Sequence, residues 1–573
     1  MNLSPCSLSY TKTRRVFMSN DHLKFYDKED RASALPRLFA GAIVGHTTTN
    51  TARIWVRAHT PGDYYLIVST NPLPESGQPY DIHGQQLRVE DSTGLTTVIG
   101  ELHEISLKYS TDVTGVIDLD NLKAGTRYYY GLFSLLKKRS ERWEVGRDAQ
   151  LSFCTQPADV ERCVFGFYSC HMPFKGGNAY NMDMWSMFAD VLEDNDSDFL
   201  IGGGDQVYTD GDKSIDIWRW LVKHLKEVAQ LSDSKQRDVM LSWYRDIYRS
   251  YWGANSTKQV YRSYPNYMIW DDHEIMDGWG SYTDAELADK LDTIFQWQNT
   301  ATNLTLARNM FYCARQVYYE YQHSHNPHTP FGPKAEDCQW DYTFRWGPLS
   351  FFVMDMRGHR RYDPAQKANP AYNPVLGDDQ WARLTSWLSA PDNNEDAFFL
   401  VSPVPVIHAN DYIVNVADIN ALGLADDLRD EWDHYSNQHE RNRLLKECFT
   451  LSQNTGKPVV FLSGDVHVGA SFSLFCRQYP GARLYQITSS AITYAKTPGG
   501  LLKLIVKNRG KLSNSDMDID YERLGDVFPG RNFSLMKYQK VNGKSQLFWD
   551  LYGKSGEIDN AVIKLKRVHI LYP

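Results

Sequence analysis

The sequence predicts an α/β protein with a small antiparallel β-sandwich ahead of its main domain. Residues 36–157 fall into short alternating runs separated by turn residues, the pattern of half-buried antiparallel strands. From residue 160 the pattern changes to wholly apolar strand runs spaced by helical stretches, as in a layered α/β sheet. A length of 573 residues exceeds what one hydrophobic core holds, so two or more domains are expected.

Residues 1–35 are polar and irregular and read as a tail. Within it, Thr13-Arg14-Arg15-Val16-Phe17 resembles a twin-arginine export signal. Such a signal needs an apolar stretch of about 7–15 residues next. Asp21, Lys24, Asp27, Lys28, Glu29 and Asp30 follow instead, so the expectation is a cytoplasmic protein that keeps its first segment, with Met18 an alternative start. In residues 36–157 the alternation is plain in Ala52-Arg53-Ile54-Trp55-Val56-Arg57 and in Tyr128-Tyr129-Tyr130-Gly131-Leu132-Phe133.

In residues 160–500 the buried strand runs are 163–169, 199–203, 267–270, 350–354, 397–401, 459–462 and 484–488. Two aromatic-rich segments, roughly 214–262 and 284–325, read as helical insertions near a site. Alternation returns in Gln546-Leu547-Phe548-Trp549, so residues 501–573 are expected to be an extension that adds edge strands.

Composition excludes several functions. A net charge of −9 is wrong for a nucleic-acid scaffold bound through its phosphates. A phosphorylated small molecule stays acceptable, because a metal site brings its own positive charge. There is no run of about 20 apolar residues to span a bilayer. No two of the eight cysteines stand in a two-residue-gap pair, which argues against a zinc ribbon and for buried free thiols.

Five strand ends concentrate ligand-type residues: Ser169-Cys170-His171, Gly204-Asp205-Gln206-Val207-Tyr208, Trp270-Asp271-Asp272-His273-Glu274, Asp355-Met356-Arg357 and Ser463-Gly464-Asp465-Val466-His467. Ligands of open α/β sheets gather outside the carboxyl ends of strands, so a site belongs there. Each residue alone has a bland reading: Cys170 as a packing thiol, Tyr208 as a core aromatic, Asp205 as a turn residue, Arg357 as a surface ion pair. Five such ends together are harder to explain by packing. Phosphoester hydrolysis at neutral pH needs a hydroxide and compensation for phosphoryl charge, and two metals about 3.5–4 Å apart supply both. Asp205, after Gly202-Gly203-Gly204, is the expected bridging ligand, with Asp272, Asp465 and His467 as terminal ligands. His273 is expected to protonate the leaving group, and Arg357 to hold a non-bridging oxygen.

The Asp205–Tyr208, Trp270–Glu274 and Ser463–His467 motifs resemble those of the alkaline phosphatase D (PhoD-like) family, over roughly residues 36–500 in order and spacing. The resemblance implies a calcineurin-like four-layer metallophosphatase core preceded by an N-terminal antiparallel β-sandwich. It implies ferric iron with a second divalent metal, calcium, and places Cys170 and Tyr208 beside Asp205 on the iron. Thiolate with phenolate suits a strong Lewis acid, since free tyrosine ionises only near pH 10.

Two positions depart from the family pattern. His171 follows the cysteine where a glutamine is expected, and Asp277 stands where relatives carry asparagine. Diester and monoester substrates are not separated by sequence, so a phosphomonoesterase of narrow intracellular specificity is an alternative. A binding module with a non-catalytic metal site is another. Oligomeric state is not legible.

Overall fold

In the computed structural model the described residues are 40–74, 80–90, 96–135, 141–146, 150–173, 183–210, 216–362, 374–392, 394–408, 429–493, 506–512, 515–554 and 563–571. The polar tail, its arginine pair, Cys6 and Met18 lie outside them.

The first ten strands among the described residues are β1 (Gly41–Thr47), β2 (Ala52–Arg57), β3 (Gly62–Ser69), β4 (Tyr80–His83), β5 (Gln86–Glu90), β6 (Thr96–Leu107), β7 (Thr114–Leu119), β8 (Arg127–Leu135), β9 (Glu141–Val145) and β10 (Ser152–Cys154). One sheet has the order β1-β2-β7. The other runs β10-β8-β3-β6-β5-β4, with β9 paired to β8. Val44, Ile54 and Val56 from the first sheet share an apolar cluster with Leu66, Tyr130 and Leu132 from the second. Because side chains alternate along a strand, Trp55 of β2 points the other way, and its indole donates to the Glu320 carbonyl at 2.7 Å. Beside it, buried Asp112 pairs with Arg57 at 3.4 Å and Arg249 at 2.5 Å and accepts from the Tyr321 hydroxyl. These contacts seat the first sheets on two long helices of the main region, Asp233–Trp252 and Thr300–Tyr321.

The main region is a mixed α/β fold. Its strands are β11 (Arg162–Tyr168), β12 (Phe199–Gly203), β13 (Asn266–Ile269), β14 (Tyr342–Trp346), β15 (Leu349–Val353), β16 (Ala397–Ser402), β17 (Val459–Ser463), β18 (Gly469–Cys476), β19 (Leu484–Ser489), β20 (Arg509–Lys511), β21 (Ile519–Arg523), β22 (Arg531–Val541), β23 (Lys544–Lys554) and β24 (Ile563–Leu571). They form two sheets, β13-β12-β11-β22-β23-β24 and β14-β15-β16-β17-β19-β18-β21-β20. β11, β12 and β13 are parallel, as are β15, β16, β17 and β19. Every residue of β15, β16 and β17 is buried, which is why those runs read as continuous apolar stretches without alternation.

The sheets face each other across an aromatic layer. Phe165 and Phe199 of the first meet Phe351 and Phe399 of the second, with ring centroids 4.8–5.7 Å apart. The alternate residues look outward. A Cβ on Gly166 would strike Phe188 of the helix Asp183–Asp194, and Phe188 also packs on Phe533 at 4.6 Å. On the other sheet, Phe398, Leu400 and Phe461 join Trp381, Leu384, Leu444 and Phe449 of the helices Asp378–Ser389 and Gln438–Thr455.

The two segments expected to be helical hold Ile217–Lys223, Leu225–Val228, Asp233–Trp252 and Asn255–Tyr261, then Asp284–Phe295 and Thr300–Tyr321. Of the strands in residues 501–573, β24 ends one sheet and β20 ends the other. β22 is not an edge strand, because it pairs with β11 on one side and β23 on the other, while β24 ends the sheet. Its Phe533, Leu535 and Met536 are buried. β20 and β21 join the other sheet, so residues 501–573 are shared between both.

Candidate metal centre

The carboxyl ends of β11, β12, β13 and β17 converge. The turns are laced by backbone bonds: Cys170 N–H donates to Gly204 O at 3.1 Å, and His171 N–H to Asp205 O at 2.7 Å. Cys170, Asp205, Asp465 and His467 all adopt left-handed backbone, with φ of 54°, 56°, 61° and 54°. Non-glycine residues there carry strain of about 1–3 kcal/mol each, and such residues cluster at functional sites. Gly204 has φ 110°, and a Cβ on it would lie 2.9 Å from the Asp271 Cβ. Only glycine lets the β12 turn pass that close to the β13 turn.

The converged groups fit a cation. Carboxylate oxygens of Asp205, Asp271, Asp272 and Asp465 all lie within 4.8 Å of one another, and Asp205 and Asp272 form a second such set with a ring nitrogen of His273. Asp271 Oδ2 is buried with no hydrogen-bond partner among the described residues, while Asp272 Oδ1 faces only the Arg357 guanidinium at 3.5 Å. An orphaned buried carboxylate oxygen is costly unless something fills the place. On Asp205, Oδ2 receives the Tyr208 hydroxyl at 3.1 Å and the Cys170 thiol at 3.5 Å, so the expected sulfur and phenol donors meet the expected bridging carboxylate at one atom. Ser490 Oγ donates to the Cys170 sulfur at 2.9 Å.

Electrostatics agree with this fit. Burial, with the charges of Asp272, Asp271 and Glu274 added and His273 opposing, pushes the Asp205 carboxyl well above its usual range. Burial and the same kind of acidic neighbours push the Cys170 thiol and the Tyr208 phenol upward. The cluster resists carrying its full negative charge, and a cation held there would oppose each of these shifts. His467 belongs to neither carboxylate set; its backbone N–H donates to Ser490 Oγ at 3.1 Å.

His273 lies over Tyr208, ring centroids 4.1 Å apart, and its Nδ1 is 2.6 Å from Asp210 Oδ1. Nε2 is left toward Asp277 Oδ1 at 3.9 Å. Burial opposes the charged imidazole, yet the carboxylates of Asp210, Asp272 and Asp205 outweigh it and hold the group well above the usual histidine range. Asp210 also accepts the Asp277 N–H at 2.6 Å. Asp277 thus lies at the rim, partly exposed, with Lys290 Nζ 3.8 Å away. His171 is wholly buried: Nδ1 receives the Trp185 indole at 3.0 Å, and Trp185 and Tyr251 meet its ring edge-on.

Arg357 is fully buried behind the carboxylates. Nε pairs with Asp271, Nη1 with Asp430 at 2.9 Å, and Nη2 stands 3.5 Å from Asp272 Oδ1 without a hydrogen-bond partner among the described residues. Asp355 shapes its turn, with Oδ1 accepting from the N–H groups of Arg357 and Gly358 and from the Trp270 indole.

Sequence reasoning missed Asp210, Asp430 and Ser490. Asp210 lies five residues past Asp205 in the same irregular turn, where no periodicity marks a side chain's direction. Asp430 and Ser490 come from segments far along the chain that only the fold brings here.

A layered α/β fold with carboxylates, a thiol and a phenol gathered at strand ends is that of a metallophosphatase. The PhoD-like phosphatase family matches residues 165–527, well over half the chain, and the chain belongs to that family. An uncharacterized protein of Saccharomyces cerevisiae, YGR266W, is 22% identical over 325 residues, 47% of this chain and 44% of that protein; the match spans less than half of the relative's length. The solved structure of PhoD is similar with a TM-score of 0.61 at 17% identity, covering 94% of this chain and 91% of that one, a likeness in fold. The purple acid phosphatase PPD1 from yellow lupin seeds scores 0.47 at 10% identity, covering 94% and 76%.

Proposed function

We propose that the protein hydrolyses a small phosphoester at a two-metal centre, ferric iron paired with calcium. The observation that carries this reading is the meeting of Cys170 and Tyr208 at one oxygen of Asp205 inside the four-carboxylate cluster. Cys170, Tyr208 and Asp205 would hold the iron. Asp205, Asp272, Asp465 and His467 would serve the second ion. When bound, the metals supply Lewis acidity and a water activated for in-line attack on phosphorus.

The chain's own groups would do the rest. Asp210 fixes the imidazole of His273 through Nδ1, and Nε2, 3.9 Å from Asp277 Oδ1, would give its proton to the departing alkoxide. Arg357 offsets the acidic cluster through Asp271, Asp430 and Asp272, and it is the guanidinium that would hold a phosphoryl oxygen. We read the two facing sheets with their outer helices as the four layers of a calcineurin-like core, residues 160–500, and residues 36–157 as a sandwich in front. Residues 501–573 complete the core. Seven free cysteines among the described residues favour a reducing compartment, so we propose an intracellular phosphoester as substrate.

Hydrolysis of bis(p-nitrophenyl) phosphate tests the reading, with p-nitrophenyl phosphate beside it to rank diester against monoester. Activity should vanish on prolonged chelation and return with iron and calcium. Steady activity in a fully metal-stripped protein would refute the proposal.

A further inference from the structure

Glu274 is wholly buried, yet it is not among the clustered carboxylates. Its oxygens are turned to the backbone instead. Oε1 accepts the N–H of Gln206 at 2.8 Å, and Oε2 accepts the N–H of Asp271 at 2.9 Å. Gln206 follows Asp205 on the β12 turn, and Asp271 precedes Asp272 on the β13 turn. One carboxylate therefore ties together the two turns that carry the expected bridging and terminal ligands. A third donor, Gln322 Nε2, reaches Oε1 at 3.0 Å and also donates to the Tyr248 hydroxyl at 3.0 Å. Gln322 closes the helix Thr300–Tyr321, its N–H bonded to Tyr318 O at 2.8 Å. Its neighbour Tyr321 is gripped by Asp112 from the first sheets.

From this geometry we infer that Glu274, held by Gln322, is a positioning residue that sets the spacing of Asp205 and Asp272 and thereby the affinity of the centre for metal. The inference rests on the proposed metal-dependent function. Both tethers end on backbone N–H groups, so they belong to Glu274 alone. Three donors converge on two oxygens, and a carboxylate is the side chain that accepts them all. Glutamine at this position keeps the volume but turns an NH2 group toward a backbone N–H, breaking at least one tether in either amide orientation.

The test compares native holoprotein with Glu274→Gln during timed dialysis against EDTA, with retained metal read by elemental analysis. Groups of this outer kind alter metal affinity or activity about 10–100-fold when removed. Metal loss should be at least about tenfold faster in Glu274→Gln, with kcat reduced and KM changed less than about twofold. An equal rate of metal loss overturns the inference, as does a lowered melting temperature with an unchanged rate. Should Glu274→Gln not fold, Gln322→Met decides: it removes one donor and leaves both tethers, and severalfold faster loss is expected, while an unchanged rate overturns the inference. A wild-type protein that holds no metal defeats the proposed function itself, a result distinct from equal retention in wild type and variant.

Discussion

His273 has one nitrogen held by a carboxylate at 2.6 Å and the other unheld at that range, the arrangement a proton donor needs. It also clusters with Asp205 and Asp272, as a ligand would. Kinetics separate the two roles. If His273 protonates the leaving group, His273→Ala should lower kcat/KM for alkyl esters about 10²–10⁴-fold and affect nitrophenyl esters far less. Equal losses on both substrates would assign it to the metals. The residue types of the site were legible in sequence, because cysteine, tyrosine and aspartate at strand ends have few other reasons to gather. Their partners were not. Asp210 finds His273 through the shape of an irregular turn, and Ser490 finds Cys170 across 320 residues, so neither follows from spacing.

Strands were the most legible elements: runs 199–203, 397–401 and 459–462 coincide with β12, β16 and β17 to within a residue. The interior places of β22 and β23 were not legible, because alternation reports a half-buried face but not which neighbour lies alongside. Asp396, just before β16, shows what holds them. Its Oδ1 takes Lys457 Nζ at 2.7 Å, and Oδ2 takes the Tyr538 hydroxyl of β22 at 2.7 Å and the Ser545 hydroxyl of β23 at 2.8 Å. Burial alone would raise its pKa, but these bonds together hold it down to about 2. A depressed folded value means that ionised Asp396 stabilises the fold above its unfolded pKa of about 3.9. That contribution fades as pH falls from near 4 toward 2. Asp396→Asn should therefore lower the urea midpoint clearly at pH 7 and by about half as much at pH 3. An equal difference at both pH values would show that Asp396 does not act through its charge.

At the scale of the whole molecule, the two large sheets are joined by the aromatic layer and by the end of the chain. β22 covers the open side of β11, the strand that delivers Cys170. Removing residues 525–573 should leave that strand and its phenylalanines exposed and give insoluble or molten protein, read by circular dichroism and thermal melting. A cooperatively folding truncated protein with native activity would show the extension to be dispensable. The order of the strand ends was legible in the sequence, but not that the last seventy residues contribute strands to both sheets, since pairing partners are set by packing rather than by local pattern.

The most direct test of the central claim is the metal content of the native protein, read with its visible spectrum. A centre built on Cys170, Tyr208 and Asp205 predicts stoichiometric iron and a charge-transfer band that weakens and shifts in Cys170→Ser. A colourless protein filled only with zinc or magnesium, with activity unchanged by that substitution, would contradict it.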